Sequence, residues 1–164
     1  MGGLVHPIQL AALRGYYRAL VDEGHVALGD GLRLLARDEP LARVIHRQLA
    51  PFVSALAGEP LRPSSVDFSS WRAGATFEPL LDRPPCELSV SLLLDHTPEP
   101  EGACPWPLYL GVLGRAVPVS LGLGDGLVHR GGQLTHFREA LPAGQTSASL
   151  LLHYVPEGFT GPLD

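Results

Sequence analysis

Cys86-Glu87-Leu88-Ser89-Val90-Ser91-Leu92-Leu93-Leu94 is the stretch that decides the architecture of this chain. From Leu88 to Leu92 apolar and small polar residues alternate, the two-residue period of a strand with unlike faces. Then leucines run together, as they do in a strand covered on both faces. A strand of this kind is central: it needs neighbours at both edges and packing above and below.

The sequence around it supplies candidates. Beyond Pro60 short apolar runs are bounded by Pro and Gly, and strands are predicted near 64–71, 75–83, 86–95, 106–112, 116–121, 126–130, 133–138 and 146–155. Thr97 to Pro105, rich in Pro and Glu, reads as a surface loop, and Gly122-Leu123-Gly124-Asp125-Gly126 reads as a turn between strands. Before Pro60 the period changes. Leu10, Leu13, Tyr17, Leu20 and Val21 recur at helical steps between Pro7 and Glu23, and Gly24 follows. A second helix is predicted from an N-cap at Asp38 to Gly58, with Pro51 expected to kink or split it. About eight short strands after two helices fit a mainly β (α+β) domain, a double-sheet jelly roll with the helices packed on one outer face. At 164 residues one domain is expected, with helical support over 6–58, a β core over 60–156 and a tail over 157–164.

Composition removes several functions. All 12 basic residues are Arg, so a lysine Schiff base, a pyridoxal phosphate anchor or a P-loop lysine is excluded. The net charge is −5 and the arginines are scattered, which speaks against nucleic-acid binding. Cys86 and Cys104 lack metal-ligand spacing and read as reduced thiols. Met1 to Gln9 holds no basic, apolar leader and no long apolar run follows, so no membrane association and a cytoplasmic location are expected.

Chemistry concentrates in two segments, 75–83 and 124–138. Around the first, between Trp71 and Asp95, Gly74, Ala75, Phe77, Leu80, Asp82, Arg83, Cys86, Glu87, Ser89, Ser91 and Leu92 stand in register with a pattern that runs from Gly-Ala through His-x-Asp-Arg to Cys-Glu-x-Ser-x-Ser-Leu. Trp106-Pro107-Leu108, Gly124-Asp125, Arg130-Gly131, His136-Phe137-Arg138 and Ser149 to Val155 continue it. These residues resemble the Fe(II)/2-oxoglutarate-dependent oxygenase superfamily, specifically over 71–156 and loosely from His6 onward. The resemblance implies a double-stranded β-helix with iron on two histidines and one carboxylate, leaving positions for 2-oxoglutarate and dioxygen. Asp82 falls on the carboxylate and His136 on the distal histidine. The proximal histidine position is Leu80, which offers a metal no lone pair.

Two residues stand as alternatives for the third ligand. Glu78 shares the parity of Leu80 and Asp82 on an extended strand, and His129 lies on the strand before His136. Anchoring 2-oxoglutarate needs a cation, which here must be Arg: Arg138, two residues beyond His136, is the first candidate and Arg130 the second. Superfamily members often place this anchor on the last strand, where the chain has Thr146, Ser147 and Ser149; Arg138 pairing with Glu139 or Asp125 is the structural alternative. Arg83 either orients Asp82 or lies at the surface. His153 reads as a hydrogen-bonded core residue, and His6, His25, His46 and His96 as surface groups.

The functional readings are three. An oxygenase would use Fe(II) and 2-oxoglutarate to hydroxylate a small molecule or peptide. A metal-deficient pseudo-oxygenase would keep the barrel as a binding or partner subunit. A non-oxidative isomerase or lyase would use Asp82, Glu78 or a histidine as acid or base. The substrate, and whether the chain forms a homo- or hetero-oligomer, are not written in any pattern here.

Overall fold

Leu88–Thr97 is the central strand that the alternation predicts, and everything else is arranged about it. The structure is a computed structural model that describes residues 3–29 and 32–163. Met1, Gly2 and Asp164, at the ends of the stretches read as leader-free and as a tail, lie outside the described residues. In chain order the elements are α1 (Pro7–Asp22), β1 (Ala27–Leu28), β2 (Arg33–Arg37), α2 (Pro40–Ala57), β3 (Leu61–Arg72), β4 (Phe77–Leu80), β5 (Leu88–Thr97), β6 (Leu108–Val112), β7 (Arg115–Val119), β8 (Gly126–His129), β9 (His136–Arg138) and β10 (Thr146–Pro156). A single 3-10 turn, Pro84–Cys86, precedes β5.

The strands form two antiparallel sheets. The larger has the order β1-β2-β3-β10-β5-β8 and the smaller β4-β9-β6-β7. The chain alternates between sheets, so the ends of β4, β8 and β9, far apart in sequence, meet in space.

Each central strand of the large sheet divides its side chains by parity. Val66 and Phe68 of β3, Leu88, Val90, Leu92 and Leu94 of β5, and Leu150, Leu152 and Tyr154 of β10 face the helices, packing with Leu10 and Tyr17 of α1 and with Ala42 and Val53 of α2. The helices thus cover one outer face. The opposite face carries Ser65, Asp67, Ser89, Ser91, Ser149 and His153, which look toward the small sheet across a cavity. At one end the gap closes with a second apolar cluster, where Trp71 and Leu93 meet Trp106 and Leu121.

Several local expectations are corrected. The N-cap of α2 is Glu39, whose carboxylate accepts from the N–H groups of Leu41 and Ala42; Asp38 has φ 50° and lies outside the helix. Pro51 leaves α2 continuous because it lies on the solvent side, where water can satisfy the carbonyl it frees. The pair β1 and β2 went unseen: Arg33-Leu34-Leu35-Ala36-Arg37 is built of good helix formers and becomes a strand only by pairing with β3. His46 and His96 are buried, not surface groups; the Nε2 of His46 lies 2.7 Å from the carbonyl of His153. Cys86 and Cys104 are separate, buried thiols.

Candidate metal centre

Asp82 follows β4, and its carboxylate is held from two sides. Its backbone N–H donates to Gly131 O at 2.9 Å, fixing the segment against the β8–β9 connection. Its Oδ2 accepts from the Ser89 hydroxyl at 2.6 Å, and Ser89 Oγ in turn lies 2.8 Å from His153 Nδ1. Because the serine proton goes to the carboxylate, His153 donates from Nδ1 to Ser89. These three side chains come from β10, β5 and the end of β4, and they leave Asp82 Oδ1 directed at His136, whose Nε2 lies 3.4 Å away. The Asp82 pKa is lowered to about 2: burial pushes it up, but His136 and Ser89 outweigh burial.

His136 opens β9. Its Nδ1 donates to Leu134 O at 2.9 Å, which turns Nε2 toward Asp82. Burial lowers its pKa, yet the contacts with Asp82 and the Leu134 carbonyl win and raise it. The contact with Asp82 thus favours the protonated ring, with Nε2 turned to the carboxylate.

His129 ends β8. By parity it faces inward with Leu127, and its ring stands 4.9 Å from that of His136 at 71°. It is 6% exposed and neither ring nitrogen has a hydrogen-bond partner. Burial, and then the nearby His136, lower its pKa to about 4. A buried imidazole with two unpaired nitrogens is costly in a finished core, and one ring nitrogen bears a lone pair at neutral pH. One ligand atom from each of Asp82, His129 and His136 lies within 4.8 Å of the others. One carboxylate and two imidazoles suit a divalent first-row metal.

The other named residues fall as follows. Leu80 pairs with His136 across the β4–β9 ladder and lines the cavity, with a side chain that offers a metal no lone pair. Glu78 is exposed and absent from the cavity wall. Between Phe77 and Leu80 the register shifts, a β-bulge, and this brings Phe77 rather than Glu78 onto the inner face, with its ring 5.5 Å from that of His136. Arg138 shares the inner face with His136, as the two-residue step requires. Its guanidinium lies 4.4 Å from the Trp106 ring and donates to the Trp106 carbonyl, not to Glu139 or Asp125. Burial lowers its pKa to about 10, and no carboxylate lies within ion-pair distance of it among the described residues. Arg130 is displaced from the site: Glu59 at 3.0 Å and Glu87 at 3.7 Å hold it on the outer surface. Arg83 is exposed at the cavity wall. Ser89 was not singled out, although the serine alternation along β5 marked a polar inner face.

The cavity between the sheets holds about 310 Å3, the size of a small-molecule site. No family model and no curated protein sequence matches the chain. Solved structures do. The non-heme alpha ketoglutarate dependent epimerase SnoN from nogalamycin biosynthesis superposes with a TM-score of 0.75 at 17% identity, over 94% of this chain and 76% of its own. The fold is that of the non-heme, 2-oxoglutarate-dependent enzymes. A prolyl-4-hydroxylase from Pseudomonas putida matches at TM-score 0.71 and 18% identity, over 96% of this chain and 91% of its own. HygX from Streptomyces hygroscopicus, crystallised with nickel and 2-oxoglutarate, matches at TM-score 0.71 and 14% identity, over 98% and 83%. An epimerase and a hydroxylase on one fold mean that the fold does not name the reaction. No helix among the described residues is long and apolar enough to cross a membrane.

Proposed function

We propose that this chain is an Fe(II)/2-oxoglutarate-dependent oxygenase in which His129 serves as the ligand that Leu80 cannot be. The observation that carries this is the buried, unpartnered imidazole of His129 in reach of Asp82 and His136. The two sheets are read as a double-stranded β-helix over 60–156, with 6–58 as helical support and 157–164 as a tail. When bound, iron(II) with 2-oxoglutarate and dioxygen supplies the oxidation of an unactivated C–H bond.

The protein's own part is position and charge. Asp82, His129 and His136 would hold the metal, and Ser89, backed by His153, fixes which carboxylate oxygen faces it. Arg138 would bind the distal carboxylate of 2-oxoglutarate. A desolvated guanidinium without a carboxylate partner is unfavourable by itself, and an anionic ligand in the cavity removes that cost. Trp71, Phe77 and Leu108 line the same cavity and limit access of water. The substrate is a small molecule or peptide.

Leu80 favours the second reading, a pseudo-oxygenase that binds without turning over, and one experiment separates the two. Purified protein is stripped of metal and loaded anaerobically with Fe(II) and 2-oxoglutarate. The oxygenase reading expects stoichiometric iron and a visible metal-to-ligand charge-transfer band. His129→Ala should weaken iron binding by at least ~100-fold, more than the loss of an outer hydrogen-bonding group. Leu80→His placed on top of His129→Ala should restore it. No iron and no band in the wild type would leave the pseudo-oxygenase.

A further inference from the structure

Both tryptophans of the chain stand in one row with two arginines. The Arg138 guanidinium lies over the Trp106 ring, 4.4 Å from its centre, and the Trp71 ring meets that of Trp106 at 5.7 Å and 66°. The Arg33 guanidinium in turn lies over the Trp71 ring at 4.7 Å. Arg138 and Trp71 line the cavity; Trp106 does not, and only 4% of it is exposed.

Trp106 is held without help from Arg138. Its Nε1–H donates to Glu139 O at 2.7 Å, and it packs in the apolar cluster of Trp71, Leu93, Cys104 and Leu121. Arg138 leans on Trp106 twice, through the ring face and through the Trp106 carbonyl, which accepts from Nη1. The guanidinium makes no other hydrogen bond and no ion pair among the described residues, so most of its N–H donors are uncommitted. A carboxylate partner would steady the cation equally but would fill those donors. An aromatic face attracts the cation and takes none of them.

Resting on the co-substrate reading above, we infer that Trp106 is the positioning residue of Arg138: it holds the guanidinium at the cavity wall with its donors free for the distal carboxylate of 2-oxoglutarate. Co-substrate affinity therefore depends on a side chain that the co-substrate does not touch. The dependence runs through the ring, so a smaller aromatic side chain keeps part of it and an aliphatic one loses it.

Calorimetric titration of Mn(II)-loaded, full-length protein tests this, with circular dichroism to verify folding. Trp106→Leu should weaken 2-oxoglutarate binding about tenfold, the worth of one desolvated cation–π contact, and Trp106→Phe about threefold. Mn(II) affinity should be unchanged in both, whereas a general loosening of the core would weaken metal and co-substrate alike. A direct readout is the side-chain Nε–H resonance of Arg138 by NMR, assigned by its loss in Arg138→Gln and shifted upfield by the Trp106 ring. In Trp106→Leu it should return to the position of the exposed arginines, while the resonance of Arg33, shifted by Trp71, stays. Where the leucine variant does not fold, the phenylalanine variant carries both measurements. The inference is overturned if Trp106→Leu binds 2-oxoglutarate as the wild type does, if Mn(II) affinity falls by the same factor, or if the Arg138 resonance keeps its shift. Arg138→Gln should abolish 2-oxoglutarate binding; binding that survives there moves the anchor elsewhere and overturns the inference with it. If 2-oxoglutarate fails to bind the wild type, the oxygenase reading falls, and the Arg138 resonance alone decides whether Trp106 positions the guanidinium.

Discussion

Gly131 is where the backbone comes nearest the site. A methyl group there would overlap Asp82 Oδ2 and stand 2.7 Å from both Asp82 Cγ and Ser89 Oγ. The close approach is what lets Gly131 O receive the Asp82 N–H, so only glycine fits. Gly131→Ala should therefore expel the carboxylate and abolish metal binding, whereas Ser89→Ala should keep the metal and weaken it by about 10- to 100-fold. Metal titration by calorimetry, with circular dichroism to verify folding, checks both. Equal metal affinity in all three proteins would mean that Asp82 is not a ligand. At this scale the sequence was partly legible. The positions of Asp82 and His136 and the shared face of His136 and Arg138 follow from motif and parity. Glu78 was misplaced because a bulge in β4 breaks the two-residue count, and bulges leave little trace in a four-residue strand. Arg130 failed for a different reason. Its partners, Glu59 and Glu87, come from remote segments that strand parity does not relate.

At the scale of elements, the junction between α1 and α2 hangs on one buried carboxylate. Glu39 is 5% exposed and accepts from four donors: the Tyr16 hydroxyl at 2.6 Å, the Tyr17 hydroxyl at 2.8 Å, and the N–H groups of Leu41 at 3.1 Å and Ala42 at 2.8 Å. Burial raises its pKa, but these bonds outweigh burial and lower it. Tyr17 stacks on Phe68 of β3 at 4.3 Å, so the cap of one helix also seats the other helix on the large sheet. Glu39→Ala loses an N-cap and leaves the buried Tyr17 hydroxyl unpaired. A loss of about 3 kcal/mol in urea unfolding is expected, with Glu39→Gln intermediate because one acceptor oxygen remains. A change below ~1 kcal/mol would mean that water replaces the contacts. The helices themselves were readable from periodicity and flanking Pro and Gly. The cap was not, because Asp38 is the better N-cap residue by type and Glu39 wins only through the tyrosines of α1. The strand β2 was hidden for the same kind of reason: its partner, β3, lies beyond an entire helix.

For the whole molecule, the histidines make stability depend on pH in a definite direction. His46 lies between α2 and β10, with its ring 4.6 Å from that of Tyr154 and its Nε2 bonded to the His153 carbonyl. Burial is the chief cause that lowers its pKa to about 4, against 6.5 in an unfolded chain. Between these values the unfolded state binds a proton that the folded state refuses. Stability from this group is thus complete above about pH 6.5 and is lost as pH falls toward 4. At pH 5 the loss is about 2 kcal/mol from His46 alone. His129, also lowered to about 4, acts in the same sense in metal-free protein. His136, whose pKa is raised, acts in the opposite sense, gaining as pH falls below its folded value. Because His96 and His153, also lowered by burial, contribute as well, the clean measurement is a difference. Urea unfolding of wild type and of His46→Gln, both with chelator, should differ by about 2 kcal/mol less at pH 5 than at pH 7. The lost ring contact with Tyr154 lowers the variant equally at both pH values and cancels. Parallel pH profiles would show that His46 titrates alike in both states, and would place the acid sensitivity of the molecule in its other buried histidines rather than in the seam between helix and sheet.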